Sequence, residues 1–212
     1  MDKFNTLQQF RENAGLVSAI VHEMPSLAAA LEKAVETCLD KAPCLPFLSK
    51  ENIPPTAPVK NSSAENGQAL SGKKTIAVPG LSEKWIKFME ELCHNKGIDL
   101  VNTSLRTHAG GMDMGITHAD YAIADTGTLV INSNGEEMRL ATMVVDIHVA
   151  LLKKSCIYPT ALDMAPELEE MTRSPHSYTA FITGASRTAD IERVLAIGVH
   201  GPLELHIMLL ED

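Results

Sequence analysis

Positive charge is scarce in this sequence. Its 212 residues include 18 lysines and arginines against 27 aspartates and glutamates, which gives a formal net charge of -9. A surface that follows a nucleic-acid backbone needs the opposite sign of charge, because it has to neutralise phosphates. The composition therefore argues against nucleic acid as a partner.

Long apolar runs and a targeting signal are also missing. No stretch approaches the ~20 consecutive apolar residues that cross a bilayer. The first residues, MDKFNT, do not form a basic segment followed by an apolar core, as a secretory signal would. We expect a cytoplasmic protein that does not insert into a membrane.

Cysteine is rare, and its spacing excludes the common cysteine motifs. The four cysteines, Cys38, Cys44, Cys93 and Cys156, contain no CxxC pair. Neither an iron–sulfur ferredoxin pattern nor a zinc ribbon can be built from local pairs of this kind. We expect reduced, mostly buried thiols and no iron–sulfur cluster on this chain, and the sequence identifies no other cofactor.

Three regions differ in composition. Residues 1–42 are predicted to be helical, because apolar residues recur at helical spacing from Asp2 to about Asp40, with a break near Met24-Pro25 and a capping serine at Ser26. Residues 43–72 are rich in Pro, Ser and Asn and predict a long loop or linker. This loop could be a lid, although a passive connection is favoured. Residues 73–212 are predicted to form one α/β domain.

Strands and helices alternate in this third region. Residues 75–79 predict a strand, residues 81–96 a helix that stops at Gly97, and residues 98–101 another strand. The apolar run at residues 144–152 predicts a buried strand that contains His148, a histidine for which a core position with one satisfied nitrogen is favoured over a ligand role. Alternation of this kind predicts an α/β fold with a mostly parallel sheet.

The stretch from Gly115 to Ser133 concentrates small and polar residues between apolar runs. Residues 121–124 and 129–131 predict two strands joined by the turn Asp125-Thr126-Gly127-Thr128, and Asp120 adds a carboxylate before the first strand. Glycine accepts a positive φ, and the hydroxyls can turn toward an anion. Taken alone, the stretch is a hairpin with ordinary turn chemistry.

A second polar cluster follows the strand predicted at residues 178–183. Residues 184–190 predict a turn that enters a helix, and Ser186, Arg187 and Thr188 would then lie at a helix N-terminus suited to an anion. The alternative is a capped helix with an exposed arginine. The glycine-framed loop at residues 197–202 presents His200, the histidine best suited to an acid/base or donor role, although a structural hydrogen bond is the commoner fate.

Two glycine-containing stretches do not match nucleotide-binding motifs. Residues 67–74 approach the phosphate-binding loop, but Lys74 replaces the required Ser or Thr, and the stretch precedes a strand instead of following one. Residues 110–115 lack the GxGxxG spacing. We interpret the first as loop and the second as a flexible segment beside the central stretch.

Two blocks of sequence resemble the LUD-domain family, which includes the lactate utilisation protein C proteins. They are GITHADYAIADTGTLVI at residues 115–131 and ITGASRTADIERVLAIGVHGPLELHIMLL at residues 182–210. The resemblance implies an α/β sandwich like the NagB, ribose-5-phosphate isomerase and CoA-transferase group. It also implies a cytoplasmic role in oxidising L-lactate to pyruvate beside two partner proteins, of which at least one type carries iron–sulfur clusters.

The chain departs mildly from the family pattern. Asp125 stands where the family often has Glu, Ala185 where Pro is common, and His118 where a small residue is frequent. His118 and Asp120 could contribute to a metal site if His148 or His200 lies nearby. Histidines that only make hydrogen bonds are the favoured alternative.

Three hypotheses of function follow. The first is a non-cluster subunit or accessory of a lactate-oxidising system, with an anion pocket between residues 125–128 and 186–188. The second is a stand-alone enzyme acting on a sugar phosphate or acyl-CoA, with Asp125 or His200 as general acid or base. The third is a protein that only binds partners.

Overall fold

The computed structural model describes residues 3–41, 73–108, 111–173, 177–188, 196–197 and 201–211. Its helices are α1 (Lys3–Leu16), α2 (Leu27–Asp40), α3 (Glu83–Lys96), α4 (Glu136–Met143) and α5 (Ala165–Thr172). Its strands are β1 (Ala19–Met24), β2 (Thr75–Ala77), β3 (Asp99–Val101), β4 (Met112–His118), β5 (Tyr121–Ile123), β6 (Thr128–Asn132), β7 (Val145–Lys153), β8 (Ile157–Tyr158), β9 (Thr179–Ile182), β10 (Arg187–Thr188), β11 (Ala196–Ile197) and β12 (Glu204–Leu210). No helix in these ranges is both long and apolar enough to span a membrane.

A six-stranded sheet in the order β1-β12-β7-β4-β2-β3 forms the centre of the fold. Every neighbouring pair in it is parallel. Strands β7 and β12 are almost continuously buried, which explains their unbroken apolar runs, because a central parallel strand is covered on both faces. The predicted α/β class with a mostly parallel sheet is confirmed.

The two faces of this sheet are covered differently. Helices α2 and α3 cover one face, where Leu31 and Met89 pack in a core with apolar side chains of the sheet. Helix α1 and a four-stranded sheet, β8-β5-β6-β9, cover the other, where Phe10 and Leu129 pack near Ile207. The molecule is therefore a layered α/β sandwich, and the stretch that contains β5 and β6 lies in its second sheet.

The N-terminal region is helical only in part. Residues Ala19–Met24, predicted as helix, form β1, which pairs with β12 over six positions. Helical spacing at residues 17 and 21 misled the prediction, since a short edge strand gains its stability from a distant partner that local periodicity does not reveal. The Ser26 cap is confirmed, because its hydroxyl accepts the N–H of Ala29 at 3.2 Å. The domain boundary at residue 42 stays a prediction.

Residues 110–115 are predicted to form a flexible segment, and the structure corrects this for residues 112–115. Residues Met112–His118 form β4, which is paired with β2 on one side and β7 on the other. Gly115 is required there by packing, because a Cβ at this position would lie 2.0 Å from the carbonyl oxygen of Ala141 in α4. Gly115 therefore allows α4 to approach β4 closely, and it does not indicate a loop.

The end of the chain also differs from its prediction. Arg187 and Thr188 do not enter a helix but form β10, which pairs antiparallel with β11. Residues 189–195 and the predicted linker at residues 43–72 lie outside the described residues. The turn at Gly97 is confirmed by a φ of 69°, and the hairpin of β5 and β6 by antiparallel pairing.

Candidate functional site

The turn at residues 125–128 is held by helix α1. Nδ2 of Asn13 donates to the carbonyl oxygens of Ala124, at 2.8 Å, and of Asp125, at 3.0 Å. Gly127 has a φ of 64°, and a Cβ there would lie 2.4 Å from the backbone nitrogen of Ala14. The glycine thus serves close packing between the turn and the helix, and Asp125 and Thr126 are exposed beside it.

A chain of threonine hydroxyls links the turn at residues 125–128 to the residue that follows β9. Oγ1 of Thr128 donates to Oγ1 of Thr126 at 2.8 Å and lies 2.7 Å from Oγ1 of Thr183. Thr183 lines a cavity that Ser186 also lines. The structure therefore connects the first polar stretch to the wall of a cavity that one residue of the second stretch also lines.

We call this space the amino-end cavity. It measures about 300 Å³ and is bounded by α4, β7, β9, the segment after β9 and the start of β12. His148 is the fourth residue of β7 and Leu205 the second of β12, so the cavity lies near the amino ends of these strands. Its volume lies at the lower end of the range for small-molecule sites, roughly 300–1,000 Å³.

His148 forms part of the buried wall of the cavity. It is 1% exposed, and its Nε2 lies 2.8 Å from Oγ1 of Thr117, which is also buried. Burial lowers the pKa of His148 from 6.5 to about 4, so the imidazole is neutral at neutral pH. Among the described residues, Thr117 is the single hydrogen-bond partner of this ring. Nδ1 is therefore the ring atom that this hydrogen bond leaves available.

Arg139 supplies positive charge. It is the one charged residue among the described residues that line the amino-end cavity. Its Nη1 donates to the carbonyl oxygens of Ser133, at 2.7 Å, and Asn134, at 3.0 Å, and its guanidinium lies 5.6 Å from the ring centroid of Tyr178. These contacts fix the side chain while using one nitrogen of a group that carries five N–H donors.

Thr142 and Ser186 line the cavity and are held in place in different ways. Oγ1 of Thr142 donates to the carbonyl oxygen of Arg139 at 2.9 Å, so it faces a ligand as an acceptor. Ser186 is positioned by its main chain, whose N–H donates to the carbonyl oxygen of Pro202 at 2.9 Å. Gly201, with a φ of 140°, allows this approach, because a Cβ there would lie 3.1 Å from that of Ser186.

The rim of the cavity is apolar and exposed. Met143 is 62% exposed, Tyr178 55% and Phe181 52%, and all three line the amino-end cavity. Three large apolar side chains around one opening can contact the apolar part of a ligand or the surface of a partner protein.

The predicted site residues are only partly brought together. Ser186 lines the amino-end cavity and Thr128 contacts its wall, whereas Asp125, Thr126 and Gly127 lie in the turn against α1. The side chains of Arg187 and Thr188, and all of His200, lie outside the described residues.

Asp120 and His118 lie elsewhere, at the end of β4. Oδ2 of Asp120 accepts the N–H of Asn132 at 2.6 Å, which ties the carboxylate to β6. Across the described ranges, no three His, Cys, Asp or Glu side chains are grouped so that they could hold a metal ion. A metal site at His118 and Asp120, the alternative considered from the sequence, therefore has no third ligand of these types among the described residues.

Sequence reasoning missed Arg139 altogether and recognised His148 only as a core residue. Arg139 lies in an ordinary amphipathic segment after a turn, and nothing in its local pattern separates it from a solvated arginine. The buried strand around His148 was a usable signal, because a histidine there has to find partners or remain neutral.

Comparison with known proteins identifies relatives of this chain. The family model described as LUD domain matches residues 7–210. Lactate utilization protein C of Halalkalibacterium halodurans is 36% identical over 103 residues, which are 47% of this chain and 45% of that protein. Lactate utilization protein C of a Geobacillus species is 33% identical over 108 residues, 50% of this chain and 45% of that protein. The chain thus spans about half the length of these curated relatives.

A longer match and a solved structure extend the comparison. The uncharacterized protein YkgG of Escherichia coli is 30% identical over 146 residues, 68% of this chain and 62% of that protein. The crystal structure of a DUF162 family protein from Deinococcus radiodurans superposes with a TM-score of 0.55 at 15% identity and covers 99% of both chains. At this identity the likeness supports the fold alone.

Proposed function

The chain belongs to the LUD domain family, and on that premise we propose that it acts in lactate utilisation, as a non-cluster subunit or accessory that binds a small carboxylate. The names of the relatives support the process. The proposal that the ligand is a carboxylate rests on Arg139. It is the single charged side chain among the described residues that line the amino-end cavity.

Arg139 and His148 suit the two functional groups of a 2-hydroxy or 2-oxo acid. A guanidinium binds a carboxylate through parallel N–H donors. His148 is neutral, so it can adopt either tautomer. When Thr117 donates to Nε2, Nδ1 carries the proton and can donate to a keto oxygen; when Thr117 accepts, Nδ1 can accept from a hydroxyl. One pocket would then bind both lactate and pyruvate.

Iron–sulfur proteins are the partners that we propose for this role. Oxidation of a 2-hydroxy acid to a 2-oxo acid removes two electrons, which need an acceptor, and the cysteine spacing of this chain offers no cluster motif. We infer that the acceptor belongs to cluster-bearing partner proteins. The exposed rim of Met143, Tyr178 and Phe181 is a surface on which such a partner could dock beside the ligand.

Growth on lactate tests this proposal. We expect a strain that lacks the gene to fail on L-lactate while growing normally on pyruvate, and the wild-type gene to restore growth. An Arg139→Met gene should fail to restore it. Arg173→Met is the control, because Arg173 is an exposed residue that pairs with Glu169 and Glu170, and it should restore growth fully.

The same strains separate the alternatives. Normal growth of the deletion strain, without iron–sulfur proteins that co-purify with the chain, would contradict the proposal. In that case a thermal-shift comparison with a sugar phosphate and with CoA tests the stand-alone enzyme. A ligand at ~100 times its dissociation constant adds ~2.7 kcal/mol to the free energy of unfolding.

A further inference from the structure

A second cavity, of about 480 Å³, lies at the opposite ends of the parallel strands. We call it the carboxyl-end cavity. Its walls include His118 at the end of β4, Lys153 at the end of β7, Leu210 at the end of β12 and the turn at residues 25–27 that follows β1. The amino-end cavity shares none of these described lining residues.

The cavity lies outside the carboxyl ends of the parallel strands, which is the edge at which open parallel sheets bind ligands. It is lined from the ends of β4, β7 and β12 and from the turn that follows β1.

Two side chains on its wall have no partner in the described part of the chain. Neither His118 nor Lys153 makes a hydrogen bond or ion pair with another described residue. They lie on adjacent strands, since His118 is paired with Leu151, two positions before Lys153. An exposed lysine and an exposed histidine therefore line one cavity from neighbouring strand ends.

The carboxylates nearby are already engaged. Asp120 accepts the N–H of Asn132 at 2.6 Å, and Glu211 pairs with Lys154 at 2.5 Å. Burial, opposed by Asp120 and reinforced by Lys153, lowers the pKa of His118, so its ring is neutral at neutral pH. Among the described charged side chains that line the cavity, Glu211 has a counterion in Lys154, whereas Lys153 and Asp120 form no ion pair with a described residue.

We propose that the carboxyl-end cavity binds the oxyanion of a small molecule, a phosphate or a carboxylate, with Lys153 as its charged partner and His118 as a hydrogen-bond donor. The ammonium supplies charge, and a neutral imidazole donates one N–H. This site is separate from the amino-end cavity and does not depend on a role in lactate utilisation.

Titration of the full chain with inorganic phosphate, and separately with acetate, tests this site by ¹H–¹⁵N spectroscopy at constant ionic strength. We expect saturable shifts at residues 118–120 and 153 with at least one of the two anions, which also identifies the class of oxyanion. Lys153→Met should weaken the affinity about tenfold or more, because it removes a charge-assisted hydrogen bond. His118→Gln should weaken it less.

A control variant makes the result specific. Lys87 is an exposed lysine of α3 that lines neither cavity, so Lys87→Met should keep the wild-type affinity. The proposal is overturned if neither anion gives saturable shifts at residues 118–120 and 153, or if Lys87→Met weakens binding as much as Lys153→Met.

Discussion

His148 carries an electrostatic cost that depends on pH. Its pKa in the folded chain is about 4, lowered from 6.5 by burial, so the unfolded chain binds a proton that the folded chain does not. The free energy of unfolding is therefore not reduced by His148 above pH 6.5, and it falls as the pH is lowered from 6.5 to about 4. At ~1.36 kcal/mol for each pH unit of the shift, the loss is about 3 kcal/mol.

Urea unfolding of the wild type and of His148→Gln, at pH 7 and at pH 4, measures this loss. Glutamine keeps a partner for Thr117 and does not titrate. We expect the free energy of unfolding to fall by about 3 kcal/mol more in the wild type than in the variant. Equal losses in the two proteins would show that His148 is not the group responsible.

Gly115 provides a test of packing at a single residue. An added methyl group would overlap the carbonyl oxygen of Ala141 at 2.0 Å, so Gly115→Ala should destabilise the fold by about 1–3 kcal/mol or more. Gly15 lies in α1 with nothing within 4 Å of the added Cβ, so Gly15→Ala should stabilise it by about 0.5–1 kcal/mol. Thermal denaturation should show shifts of opposite sign, and a neutral Gly115→Ala would contradict the described packing.

At the scale of elements, helix α1 and the turn at residues 125–128 act as one unit. Asn13→Ala removes two hydrogen bonds to the turn and should cost about 1–2 kcal/mol in the free energy of unfolding. Asn95 is exposed on α3, and Asn95→Ala should change it by no more than ~0.5 kcal/mol. Chemical denaturation checks both, and indistinguishable variants would mean that α1 does not secure the turn.

The sequence predicts correctly those elements whose residue pattern is set by neighbours close along the chain. Strand β7 is a long apolar run, and α3 ends at a glycine whose left-handed conformation stops the helix. Strand β1 is short and lies at a sheet edge, while β4 contains a glycine selected by a helix far along the chain. Their stability comes from distant partners, so sequence spacing could not reveal them.

On the scale of the whole molecule, the parallel sheet separates two cavities. The amino-end cavity is completed by Arg139 from α4 and His148 from β7, and the carboxyl-end cavity contains His118 and Lys153. Sequence reasoning found Ser186, which lines the amino-end cavity, and Thr128, whose hydroxyl contacts Thr183 in its wall, because polar residues beside strands stand out. It could not find Arg139, since only the folded chain brings that side chain beside Tyr178 and the cavity.

Calorimetric titration of the full chain with pyruvate tests the central claim, that the amino-end cavity binds a small carboxylate through Arg139. We predict saturable binding at one site, an affinity lowered about tenfold or more in Arg139→Met, and an unchanged affinity in Arg173→Met. An absence of binding heat with the wild type, or equal affinities of the wild type and Arg139→Met, would contradict it.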